Sequence, residues 1–86
     1  MEGSFMILPE PYKVLVLRDP NPGDPIGYPV QDKNKSFKDL DMAETFFTVE
    51  VERAEQAPNI VSVWFTVWHP QHQCLMLIRD WGRDDS

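Results

Sequence analysis

Cysteine, basic residues and long apolar runs are all scarce in this chain, and each scarcity closes off a class of function. A lone Cys74 has no partner for an intramolecular disulfide, so packing must hold the fold and a reducing compartment is expected. Eight Lys and Arg stand against fourteen Asp and Glu, a net charge of -6. A phosphate backbone demands clustered cations, so direct binding of DNA or RNA is not expected. No apolar stretch approaches the roughly 18 residues of a membrane span. The opening MEGSFMILPEP lacks the basic and long apolar regions of a secretion signal, which gives a cytoplasmic expectation with no membrane partner. Glycine-rich phosphate cradles, Gly-x-Ser-x-Gly elbows and His-Glu-x-x-His pairs are also missing. No reaction is written into the sequence, and the expectation is a non-enzyme without a cofactor.

What remains suits a folded chain. Hydrophobic residues make up 42% and aromatics 12% of 86 residues, enough for one core and too apolar for disorder at this charge. A single domain over residues 1–86 is expected. Its first element is a strand from Tyr12 to Arg18 (YKVLVLR), bounded by Pro9, Pro11 and Asp19-Pro20, with both faces covered. Residues 19–35 hold Pro20, Pro22, Pro25, Pro29, Gly23 and Gly27 and read as a long Pro-rich loop. Ser36 and Asp39 have the spacing of a capping box, and Phe37, Leu40 and Ala43 or Glu44 follow at helical intervals, predicting a short helix near 37–45.

Alternation then predicts a three-stranded meander. From Phe46 to Arg53, Phe47, Val49 and Val51 fall on one face and Thr48, Glu50 and Glu52 on the other. From Asn59 to Trp68, Val61, Val63, Phe65 and Val67 oppose Ser62, Trp64, Thr66 and Trp68, and a last strand spans 73–80. A four-residue turn at 69–72 would set Val67 against Cys74, Phe65 against Met76 and Val63 against Ile78 in the core. The predicted architecture is α+β: a largely antiparallel sheet of four strands, made from the N-terminal strand and the meander, with one short helix on one face. A small all-β barrel is the alternative.

The second sheet face carries the functional expectation. It would run from Glu50 and Glu52 through Trp64 and Trp68 to Leu75, Leu77 and Arg79, with Trp81 just beyond. An apolar patch of this kind exceeds about 400 Å² and calls for a cover. These eight residues form the candidate partner-binding surface of a small acidic protein-binding module, an accessory subunit or inhibitor. The partner would be a protein with a basic surface, or a second copy of the chain. A small-molecule pocket closed by the Pro-rich loop is the alternative, and mimicry of a nucleic acid by surface acid a lesser one. His69, His72 and Cys74 have a spacing a metal ion could use. No fourth ligand accompanies them, and a core-facing Cys74 argues against a site.

Overall fold

The proline-bounded run of β-branched and leucine residues forms β1 (Tyr12–Arg18). The computed structural model describes residues 9–83. Within them β1 is followed by β2 (Val30–Phe37), α1 (Leu40–Gln56), β3 (Ile60–His69) and β4 (Cys74–Gly82). The sheet has four strands in the order β2-β1-β3-β4, and every neighbouring pair is antiparallel. It is an open α+β sheet with one helix, not a closed barrel, and β2 and β4 are its edges. No described helix is long and apolar enough to cross a membrane.

Two segments differ from their sequence-based reading. Residues 46–53 are not a strand but part of α1, which replaces both the short helix and the first strand of the predicted meander. The alternation of Phe47, Val49 and Val51 is local. Buried Ala43, Phe47, Glu50 and Ala54 recur at helical spacing over a longer span. Asp39 is the N-cap itself: its carboxylate accepts from the Asp41 N–H at 3.0 Å. Helix formers flank a less favourable Phe46–Val51 middle, which packing of Phe47 on the sheet holds helical, and Pro58 lies just past the Ala57 C-cap. The missing strand comes from the opposite side, because VQDKNKSF pairs with β1 from Tyr12–Phe37 to Arg18–Val30. The Pro-rich loop therefore shrinks to 19–29.

The core lies between α1 and the inner face of the sheet. It contains Val14 and Val16 of β1, Phe37 of β2, Ala43, Phe47 and Ala54 of α1, and Ile60, Val63 and Phe65 of β3. Phe47 of the helix meets Phe65 of the sheet with ring centroids 5.8 Å apart. Helix α1 packs over β3, β1 and β2, leaving β4 largely beyond it. At the far end Arg83 ties helix to sheet. Its guanidinium donates to the carbonyls of Ala54 and Ala57, and its Nε to that of Ile60 at 2.9 Å. The Ala54 and Ala57 carbonyls already accept the Ala57 and Ile60 N–H groups, so the cation adds a second, charged donor at the negative end of the helix dipole.

Candidate functional site

Helix and sheet together cover one face, so the outer face depends on what its own side chains can do. Strand pairing places Leu15 opposite Trp64 and Lys13 opposite Thr66, then Thr66 opposite Leu77 and Trp68 opposite Leu75. These residues share the outer face. Leu15, Trp64, Thr66, Leu75 and Leu77 line an open groove of about 240 Å³. Trp64 is 42% exposed, Leu75 45% and Leu77 56%, whereas Trp68 is half-buried. Thr66 at the groove floor is buried, and its hydroxyl donates to the Lys13 carbonyl at 3.2 Å. No residue of the 19–29 loop lines the groove.

The β3–β4 register corrects part of the predicted surface. The turn is Pro70 to Gln73, with Gln73 at φ 52°, and it pairs His69 with Cys74 and Val67 with Met76. The partner of Val67 has moved by two residues from the expected Cys74, a shift that preserves faces, whereas those of Phe65 and Val63 have moved by three, to Arg79 and Trp81. Leu75 and Leu77 thus stay on the side of Trp64. Cys74 lies at the strand end and is exposed, not in the core. Beyond Leu77 a β-bulge intervenes, since Thr66 pairs with Leu77 but Phe65 with Arg79, and Ile78 is the extra residue. The bulge reverses the faces. Arg79 and Trp81 accordingly turn to the helix side, with the Arg79 guanidinium 5.5 Å from the Phe47 ring centre and 3.6 Å from the Glu44 carboxylate. Trp81 packs against the core, partly buried.

The predicted acidic border does not form. Glu50 and Glu52 lie on α1, on the other side of the sheet, and there they diverge. Glu52 is exposed, while Glu50 is only 3% exposed and points inward. Its carboxylate holds Lys33 Nζ at 3.2 Å and Arg53 Nη1 at 3.3 Å. Of the eight predicted residues, the structure therefore gathers Trp64, Trp68, Leu75 and Leu77, and scatters the other four.

Sequence reasoning missed two features. Met76 and Ile78, assigned to the core, are 44% and 41% exposed, because α1 reaches β4 only at Arg79. A shallow apolar trough of about 390 Å³ also runs between β2 and α1, lined by Phe37, Met42, Thr45, Phe46 and Val49 with Asp41. It was hidden by the reading of 46–53 as a strand. His69 and His72 lie with ring centroids 4.5 Å apart, and the His72 N–H donates to His69 Nδ1 at 3.3 Å. Among the described residues no group of three or more His, Cys, Asp or Glu is placed to hold a metal ion. Neither protein-family models nor curated proteins nor solved structures provide a match to the chain, so its functional reading stands on this geometry.

Proposed function

We propose that the chain is a protein-binding module that engages its partner through the outer sheet face centred on Trp64, Leu75 and Leu77. The observation carrying this reading is that a tryptophan and two leucines, each at least 42% exposed, border one apolar groove on rigid strands. Aromatic anchors on a preorganised surface give most of the energy in protein interfaces. The groove, at about 240 Å³ and open to solvent, suits an apolar side chain from a partner better than an enclosed small ligand. Exposed Asp41, Glu44, Glu52 and Glu55 line the remote helix. They bias approach toward basic partners without touching the groove. Accessory subunit and inhibitor are both compatible with such a surface, and the exposed Cys74 thiol suits a reducing, cytoplasmic setting.

A pull-down from the native host tests the reading, comparing the wild type with Trp64→Ser combined with Leu77→Ser. Circular dichroism first establishes that the double variant folds. Loss of a specific partner from the variant is expected; equal recovery by both proteins overturns the proposal.

A further inference from the structure

The two edges of the sheet are not alike. Edge β2 reads VQDKNKSF, with Asp32, Lys33 and Lys35 along it, the kind of charge that keeps an edge from pairing with another sheet. Edge β4 reads CLMLIRDWG. Its first five residues carry no charge and no proline, and Leu75, Met76, Leu77 and Ile78 are each more than 40% exposed. We infer that β4 is the interface with a second copy of this chain, two β4 strands pairing antiparallel to make one continuous sheet.

Backbone directions fix the register. The Trp68 N–H donates to the Pro11 carbonyl, so even-numbered residues of β3 face β1 and odd-numbered ones face β4. The Arg83 N–H donates to the Val61 carbonyl, in agreement. The odd residues pair with Cys74, Met76, Arg79 and Trp81, which therefore turn their backbone groups inward. Leu75 and Leu77 present theirs outward. An antiparallel pairing that uses both sets Leu75 of each copy opposite Leu77 of the other, with Met76 facing its own counterpart at the two-fold axis. That axis stands perpendicular to the sheet, so both helices fall on one side and both outer grooves on the other.

Charge permits the pairing. The chain carries -6, but β4 itself has one cation, Arg79, and one anion, Asp80, so the acid lies elsewhere. The apolar side chains and edge backbone offer about 500 Å² per copy, near the low end for specific interfaces, so a weak dimer is expected and is sought between about 1 and 100 μM. The bulge at Ile78 limits the paired stretch to the N-terminal half of β4. The inference stands on the edge rather than on the outer face, and it widens that face by joining two grooves.

Sedimentation velocity across this concentration range tests it with wild type, Met76→Lys and Met76→Glu. The Met76 side chains of the two copies lie about 5 Å apart in this register, so like charges there oppose pairing and opposite charges favour it. Wild type is expected to dimerise with concentration. Each variant alone should dimerise at least tenfold more weakly, and an equimolar mixture should recover the dimer. Under mild oxidation, Cys74→Ser combined with Met76→Cys should form a disulfide-linked dimer, whereas native Cys74, which faces Ile78 of the second copy, should not. A monomeric wild type, or variants that dimerise as wild type does, overturns the inference. Trp64→Ser should leave dimerisation unchanged, so loss of partner binding and loss of the dimer are read separately.

Discussion

Glu50 is the residue whose environment departs furthest from what its chemistry suggests. A buried carboxylate is held by two cations that are themselves well exposed, with side-chain exposures of 39% for Lys33 and 60% for Arg53. Removing the acid leaves no buried charge behind, since both cations can rehydrate. Removing both cations strands it. Glu50→Met is therefore expected to change stability by no more than about 1 kcal/mol, and Lys33→Met combined with Arg53→Met to cost about 3 kcal/mol, as read by urea denaturation. Arg83 acts differently, since its guanidinium serves three carbonyls around the end of α1. Arg83→Met should lower stability by about 1–3 kcal/mol, with Arg83→Lys recovering only part because an ammonium lacks the planar fork.

At the scale of elements, the helix is where sequence and structure diverge, and the cause lies in particular residues. Strands β1, β3 and β4 were legible because proline and polar breaks isolate runs of β-formers. Segment 46–53 misled because Phe47, Val49 and Val51 alternate with Thr48, Glu50 and Glu52, and the inward position at Glu50 breaks the apolar stripe that marks a helix face. Segment 30–37 was illegible for the converse reason: an edge strand rich in Asp, Asn and Lys has no hydrophobic pattern to read. The outer face was readable as far as Leu77, where the bulge reverses parity in a way no alternation can signal. Val49 decides between helix and strand experimentally. It is 41% exposed on α1, so Val49→Ala should be neutral or stabilising within about 0.5 kcal/mol, while Phe47→Ala should cost about 3–5 kcal/mol. Were 46–53 a strand with both on its core face, Val49→Ala would also be costly in thermal or chemical denaturation.

At the scale of the whole molecule, the described residues form a sheet with one helix too few. Four strands have two faces, and α1 packs against one of them, reaching β4 only at Arg79. This asymmetry leaves an apolar outer groove and an unguarded edge that meet at Leu75 and Leu77, and both proposed interactions follow from it. The exposure of the ring at 64 in the isolated chain is therefore the quantity to measure. In a variant carrying Trp68→Phe and Trp81→Phe, Trp64 is the sole indole, and its emission and acrylamide quenching at submicromolar concentration report its surroundings. Long-wavelength emission that is readily quenched is the predicted result. Short-wavelength emission shielded from acrylamide would mean that the chain covers this face by itself, contrary to the account.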